Sequence, residues 1–324
     1  MSNRHPIFGL FLVLLICLSA SCSGSAATPA PKPLQIEWTL WQGDYSLLVA
    51  DQMGFFKKHG VEVEPARYDS PSQAIADLAG AKLDGGLLSM NDFLLSSNLV
   101  NLKGVMVSDN GDQYTIIASP DIKIVSDLRG KRIGLNLHTA SELFVSYMLS
   151  SQLMTSNDVT YVELSPNQVS QSLPDRADAG VVWEPYTSQA LKQGKKIVYQ
   201  STYYSSLSPK LLVFRKALVE QHPEEIRAFI LAWDEAVNYR INHPQESLAI
   251  ISKATGLPAS DLSLTNAVTL YTVQDNINLF ANNPGTDPSS IYFIAGFNQD
   301  YLVHNGYITN PPDINALLDS TLLK

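Results

Sequence analysis

An indole and a carboxylate follow directly on an apolar run in this sequence. The pattern of residues 178–182 predicts a buried β-strand, and Trp183 and Glu184 stand at its end. An indole face stacks on rings and ammonium groups, and a carboxylate accepts hydrogen bonds from amines. Because an unpaired buried charge is costly, we expect Glu184 to contact either a ligand amine or a donor of the protein itself. Trp183 is interpreted as a wall of a binding site or, alternatively, as a core residue.

A second pair of aromatic residues stands in the same kind of place. Trp41 and Tyr45 follow a strand candidate at residues 36–40. Together they would form a flat wall for a ring or an ammonium group. The alternative is that both pack between the layers of the fold.

Two further strand ends carry polar residues where helices are predicted to begin. After the strand candidates at 84–88 and 132–137 come Ser89 and Asn91, and then His138, Thr139, Ala140 and Ser141. Helix N-termini expose free N–H groups and a partial positive charge, which favours an anionic ligand group. His138 would donate to such an anion or titrate near neutral pH. The alternative is that these residues only cap their helices.

The elements that position these residues occur twice in the same order. The first run has a strand at 36–40, a helix at 45–58, a strand at 61–64, a Ser-Pro-x-Gln helix start at 70–73 and a strand at 84–88. The second run has the same elements at 132–137, 141–153, 160–164, 165–168 and 178–182. This order predicts two βαβαβ units with parallel sheets. Since ligands of open α/β sheets sit outside the carboxyl ends of the strands, we expect four strand ends to face one cleft.

The rest of the chain is expected to connect and cover these units. A strand candidate at 211–215 is followed by helical patterns at 223–242, 245–255, 260–280 and 289–305. We expect the helices to pack on the first lobe and two crossings, near 113–119 and 207–212, to join the lobes. Two such crossings allow hinge closure on a ligand.

Composition limits the classes of function. The chain has 324 residues, of which 45% are apolar, and its net charge is −9. The length suits two lobes and the apolar fraction a globular protein. The acidic balance gives no basic footprint for a nucleic-acid partner.

The N-terminus predicts export. Arg4 precedes an apolar run at 7–18, and small residues then precede Cys22, as in a bacterial lipoprotein signal. We predict a signal peptide at 1–21 and, at 22–33, a lipidated Cys22 with a flexible tether, so that the protein is extracytoplasmic and anchored to a membrane through lipid. The alternative is an ordinary secretory signal whose cysteine is incidental.

Several segments together resemble one known family. They are GFFKKHGVEVE at 54–64, DLRGKRIG at 127–134, AGVVWEPY at 179–186, RKAL at 215–218 and HPE at 222–224. These resemble the periplasmic solute-binding proteins of ABC importers for nitrate, sulfonates and taurine, a family that also includes binders of thiamine pyrimidine precursors.

The resemblance implies an α/β, two-lobed periplasmic-binding-protein fold of type II, with a ligand cleft between lobes joined by two crossings. Lobe 1 is expected at 34–113 plus 212–324, and lobe 2 at 114–211. The resemblance also implies a monomer that binds a small molecule and delivers it to an ABC permease with its ATPase.

Carried over by position, the resemblance places ligand contacts in the loops at 41–45, 89–91, 138–141 and 183–184. It adds Asp112, from the Asp-Asn-Gly-Asp segment before the first crossing. Lys210 stands near the second crossing, where relatives often carry an Asp. We expect an exposed lysine there, the alternative being a cation that faces the cleft and favours an anion.

An enzyme is the rival class. Relatives of this fold that make a thiamine pyrimidine carry a cysteine-rich segment and a reactive histidine, as the resemblance implies. This chain has no cysteine after Cys22, no Gly-x-Ser-x-Gly elbow, no P-loop and no histidine spacing for a metal. We therefore expect a binder with no catalytic residue, metal or cofactor, acting in transport or, alternatively, as a sensor.

The ligand follows from the charges of the candidate residues. Helix N-termini and Lys210 suit an anion, whereas Glu184 and Asp112 suit an amine. A zwitterion satisfies both sets, so we expect a small sulfonate or taurine-like solute. The alternatives are a pyrimidine precursor of thiamine and nitrate.

Overall fold

The first βαβαβ run provides three strands of one sheet. The computed structural model describes Met1 and residues 32–111, 114–200, 208–262, 268–281 and 287–324. Up to the first crossing the elements are β1 (Leu34–Trp38), α1 (Tyr45–Gln52), α2 (Phe55–Lys58), β2 (Val63–Arg67), α3 (Pro71–Ala79), β3 (Gly85–Ser89), α4 (Met90–Ser96) and β4 (Leu102–Gly111).

The second run provides three strands of the other sheet. From the first crossing to the second, the elements are β5 (Thr115–Ala118), β6 (Arg132–Leu135), α5 (Ala140–Ser150), β7 (Thr160–Glu163), α6 (Pro166–Ser172), β8 (Ala179–Val182), α7 (Tyr186–Lys192) and β9 (Lys196–Gln200). The remaining elements are β10 (Lys210–Arg215), α8 (Lys216–Gln221), α9 (Pro223–Asn242), α10 (Pro244–Thr255), β11 (Val268–Leu270), α11 (Val273–Ala281), α12 (Ile291–His304) and α13 (Ile314–Leu317).

The two sheets repeat one topology. Sheet A has the order β11-β4-β10-β3-β1-β2, and sheet B has the order β7-β6-β8-β5-β9. In sheet A, β1 pairs in parallel with β2 and β3, and in sheet B, β6 pairs in parallel with β7 and β8. The next strand in each sheet, β10 or β5, is antiparallel. The predicted duplication and the α/β class with two sheets are therefore confirmed.

The chain passes between the sheets twice. It leaves sheet A after β4 and enters sheet B at β5, and it returns between β9 and β10. Sequence patterns did not predict β4, β5, β9 and β11 as strands, because they lie outside the repeated runs.

Local signals explain several element boundaries. The helix predicted at 45–58 is two helices, because Gly54 adopts a left-handed φ of 72° that ends α1 and begins α2. Both Ser-Pro-x-Gln starts do open helices. The Ser70 hydroxyl accepts from the Gln73 N–H at 3.4 Å, and the Ser165 N–H donates to Gln168 Oε1 at 3.3 Å.

Helix α9 covers one face of sheet A. Ile226, Phe229, Trp233 and Val237 are buried at helical spacing. Phe229 packs on Phe214 of β10, with ring centroids 5.2 Å apart. This packing anchors β10, which carries one charged residue of the candidate site described below.

None of the helices in the described part of the chain is long and apolar enough to cross a bilayer. The predicted signal peptide and Cys22 lie outside the described residues.

Candidate functional site

A pocket lies at the carboxyl ends of β1, β3 and β8, where the loops of both sheets meet. It is partly open to solvent. Its lining residues are Glu37, Thr39, Trp41, Pro71, Leu87, Leu88, Ser89, Asp92, Tyr114, Trp183 and Lys210. Most come from the sheet A side, and Trp183 comes from the end of β8. Three of the predicted contacts, Trp41, Ser89 and Trp183, thus meet in one pocket.

Three buried aromatic side chains form its walls. The polar ends of the two indoles are satisfied by the protein, since Trp41 Nε1 donates to Asp109 Oδ1 at 2.8 Å and Trp183 Nε1 donates to the Leu40 carbonyl at 3.2 Å. Tyr114 packs edge-on against Trp183, with ring centroids 5.9 Å apart. The indoles are therefore fixed in place while their carbon surfaces line the cavity.

Glu37 is a lining residue that sequence reasoning missed. It lies in the middle of buried strand β1 and is 1% exposed. Its Oε2 accepts from the Leu87 N–H at 2.9 Å. Gly86 leaves room for this side chain, because a Cβ there would lie 2.7 Å from Glu37 Oε2. Burial raises the pKa of Glu37 to about 8, although the nearby Lys210 opposes that rise.

Lys210 lies inside the pocket, so the expectation of an exposed lysine is wrong. It is 7% exposed because β10 lies between β3 and β4, where its side chain is covered. Its Nζ donates to both oxygens of Asp44, at 2.7 and 2.9 Å. Burial alone would lower the pKa of Lys210, but Asp44, Glu37 and Asp109 together raise it.

Asp44 is the anchor of this ion pair. Besides Lys210, it accepts hydrogen bonds from the N–H and the hydroxyl of Thr39, both at 2.8 Å. Asp44 is 0% exposed. The pair is thus a buried, hydrogen-bonded one that links β10 to the loop after β1.

Two further buried residues of opposite charge, Asp109 and Arg240, support the loop that carries Trp41. Asp109 is fully buried, and burial raises its pKa to about 6. Arg240 of α9 donates to the Gln42 carbonyl at 2.8 Å and to the Ser46 hydroxyl at 2.8 Å. Burial lowers the pKa of Arg240 to about 10. Arg240 therefore fixes the loop that carries Trp41.

The predicted anion sites at helix starts are occupied by the protein itself. Ser89 caps α4 by accepting from the Asp92 N–H at 3.1 Å and donates its hydroxyl to Asp92 Oδ2 at 2.7 Å. The other oxygen of Asp92 accepts from the Ala140 N–H, the first residue of α5, at 2.7 Å. Asp92 thus joins α4 to α5 and fills the place where an anion would sit.

The other residues of the α5 start do not line the pocket. The hydroxyls of Thr139 and Ser141 both donate to the Asn136 carbonyl at 2.9 Å. His138 is exposed, with a left-handed φ of 58°, and its N–H donates to Glu142 Oε2 at 2.8 Å. Thr139 has the helix-capping role that the sequence left open as the alternative, since its hydroxyl accepts from the Ser141 N–H at 3.4 Å.

The remaining predicted contacts also lie away from the lining. Tyr45 is buried in α1, and Asn91 Nδ2 donates to Ser208 Oγ at 3.2 Å. The Glu184 carboxylate accepts from the N–H and the hydroxyl of Ser188, at 3.2 and 3.0 Å, so its donor is the protein. Asp112 lies outside the described residues.

Contacts at the mouth join loops of the two sheets. Asp69, which follows β2, accepts from the Tyr186 hydroxyl at 2.9 Å and from Asn167 Nδ2 at 3.2 Å. Asn167 lies in α6 and Tyr186 begins α7. With the bond from Ala140 to Asp92, these contacts connect the loops of the two sheets.

The comparisons agree on one family. A family model described as NMT1/THI5 like matches residues 44–247. A Bacillus subtilis (strain 168) protein named for binding aliphatic sulfonates is 27% identical over 254 residues, which cover 75% of this chain and 76% of that protein. The taurine-binding periplasmic protein of Escherichia coli (strain K12) is 23% identical over 219 residues, 64% of this chain and 68% of that protein.

Solved structures show the same fold. The crystal structure of the periplasmic aliphatic sulphonate binding protein SsuA from Escherichia coli superposes with a TM-score of 0.67 at 19% identity, covering 91% of this chain and 99% of that chain. The predicted periplasmic-binding-protein fold is therefore confirmed. Because the family model spans more than half of the sequence, the chain belongs to the NMT1/THI5-like family.

Proposed function

We propose that this protein is the extracytoplasmic solute-binding component of an ABC importer, which captures a small solute and delivers it to a permease with its ATPase. The observation that carries the proposal is the aromatic-walled pocket at the strand ends of both sheets. The names of the relatives support it. The two lobes of this proposal are residues 34–113 plus 212–324 and residues 114–211, and a lipid on Cys22 holds the protein at the membrane.

The solute we propose is a small, taurine-like compound that carries an amine. A simple sulfonate or nitrate has less support, because the N-terminus of α5 is filled by Asp92 and Lys210 is paired with Asp44. An aminopyrimidine is the second candidate. The walls formed by Trp41, Tyr114 and Trp183 favour it, since indole and phenol faces stack on flat rings.

We propose binding rather than catalysis. The sequence contains two cysteines, at positions 17 and 22, and both lie in the predicted export segment. Asp44, Asp92 and Lys210 are engaged in buried contacts that support the binding loops. Among the described residues, no cluster of three or more His, Cys, Asp or Glu side chains is placed to hold a metal ion.

A thermal-shift screen tests the proposed function. The full-length protein in mild detergent would be melted with taurine, alkanesulfonates, nitrate, bicarbonate and aminopyrimidines. A ligand at about 100 times its Kd stabilises the folded state by roughly 2.7 kcal/mol, which gives a clear rise in Tm. We expect a rise with taurine or an aminopyrimidine. Turnover of any of these compounds, or no rise with any of them, would contradict the proposal.

A further inference from the structure

Acidic groups outnumber basic groups around the pocket. Four buried carboxylates, Glu37, Asp44, Asp92 and Asp109, share this region with two buried cations, Lys210 and Arg240. If all six were ionised, the region would carry two uncompensated negative charges in a low-dielectric environment, which is unfavourable. A ligand anion would add to that excess, whereas a ligand cation would reduce it.

The hydrogen bonds show which carboxylate is available to a ligand. Both oxygens of Asp92 accept bonds, from Ser89 and from Ala140. Asp109 accepts from Trp41 and Ser108 behind the aromatic wall.

Glu37 differs from these two acids. It lines the pocket and uses Oε2 for the Leu87 N–H, while no hydrogen bond from the described residues reaches its second oxygen, Oε1. Among the described lining residues, Glu37 is thus the carboxylate with an oxygen, Oε1, that is available to a ligand.

We infer that Glu37 is the specificity-determining residue of this pocket, and that it selects solutes with a protonated nitrogen: when such a solute binds, Glu37 releases its own proton to solvent and accepts a hydrogen bond from that nitrogen on Oε1. The inference rests on the proposed function and names the ligand group that the pocket recognises. The faces of Trp41, Tyr114 and Trp183 surround the same space and attract a cation through their π-systems.

Lys210 is the one basic residue among the described residues of the lining, and it does not reverse this preference. Its Nζ donates two hydrogen bonds to Asp44, so the charge of Lys210 is already balanced by a carboxylate of the protein. An anion that entered the pocket would compete with Asp44 for Lys210 and would also face Glu37 and Asp92. Selection by charge therefore favours the nitrogen-bearing member of two otherwise similar solutes.

Pairs of probes that differ only at the nitrogen test the inference. Taurine and isethionate differ by an amine in place of a hydroxyl, and 4-aminopyrimidine at a pH near its own pKa is matched by 4-methylpyrimidine. Calorimetric titration of the full-length wild-type protein should show at least one nitrogen-bearing probe binding about tenfold or more tightly than its partner, because hydrogen bonds to charged groups are stronger than neutral ones.

Two variants separate recognition from folding. Glu37→Gln keeps an oxygen for the Leu87 N–H but cannot release a proton to become an anion, so it should fold and should lose the preference within each pair. Glu62→Gln removes the same charge from an exposed position before β2 and should keep the preference. A circular dichroism melt of each variant confirms that it is folded.

The outcomes distinguish a failure of the role of Glu37 from a failure of the proposed function. Equal affinities within every pair that binds, or an unchanged preference in Glu37→Gln, would overturn the role of Glu37 while leaving a solute-binding protein. Absence of binding by all four probes and by the wider screen would contradict the proposed function, and the role of Glu37 would fall with it.

Discussion

Replacing Glu37 with glutamine should change how the stability of the protein depends on pH. Burial raises the pKa of Glu37 from its ordinary value of 4.5 to about 8. Between these two values the folded chain keeps a proton that the unfolded chain has lost. Since the folded state binds more protons there, the free energy of unfolding falls as the pH rises through this interval.

The size of the effect follows from the width of the interval. Each pH unit is worth about 1.4 kcal/mol, so the proton on Glu37 contributes on the order of 5 kcal/mol. This contribution is complete below pH 4.5 and lost above about pH 8. Glutamine has the shape and hydrogen bonding of the protonated acid, so Glu37→Gln should match the wild type near pH 5 and exceed its stability by several kcal/mol near pH 9.

Urea unfolding of both proteins at a series of pH values, followed by circular dichroism, measures the difference. The charged groups that act on Glu37 are Asp44, Asp92 and Lys210, and they are present in both proteins. Asp109, whose pKa is raised to about 6, also titrates in both. Subtracting the two curves therefore isolates Glu37.

A difference in stability that stays constant from pH 5 to pH 9 would refute the reasoning. It would mean that Glu37 remains ionised and is held by Lys210 throughout this range. Glu62→Gln, an exposed change of the same charge, is the control and should follow the wild-type curve.

Three further substitutions test the surroundings of the pocket. Gly43→Ala should lower the free energy of unfolding by about 1–3 kcal/mol, because its Cβ would lie 2.1 Å from the carboxylate of Asp109, and urea unfolding checks this. Trp41→Phe keeps an aromatic face but removes the donor to Asp109, so it should lower the free energy of unfolding by about 1–3 kcal/mol. Calorimetry should show that the selected solute still binds to this variant. Complete loss of binding would assign the indole N–H a direct role in contacting the solute. Glu184→Ala should lower Tm by a few degrees because the bonds to Ser188 are lost. It should weaken the binding of amine-bearing and of simple anionic ligands equally. A selective loss of amine binding would mean that Glu184 contacts the ligand.

The sequence predicts the parts of this protein that depend on local patterns. Alternating and helical spacing locate β1, β3, β6 and β8, and the rule that ligands lie beyond the carboxyl ends of parallel strands brings Trp41, Ser89 and Trp183 to one pocket. The antiparallel partners β4, β5 and β9 escape prediction because their place depends on the crossings between the sheets and not on a repeated motif.

The charges of the site depend on contacts that the sequence does not reveal. In the sequence, Glu37 is one polar residue in a short strand. Its place in the pocket becomes evident only when β10 brings Lys210 beside it. Lys210 itself reads as a surface lysine until Asp44 is placed against it. For Glu184 the reverse holds. The sequence places it in the binding site, but its hydrogen-bond partner is Ser188, one helical turn away. Long-range pairing therefore decides which charged residues belong to the pocket.

The most direct test of the account is a crystal structure of the protein with the tightest nitrogen-bearing probe from the titrations. We expect the probe between Trp41 and Trp183, with its nitrogen within about 3.2 Å of Glu37 Oε1. A probe bound outside this pocket, or one that turns an anionic group toward Glu37, would contradict it.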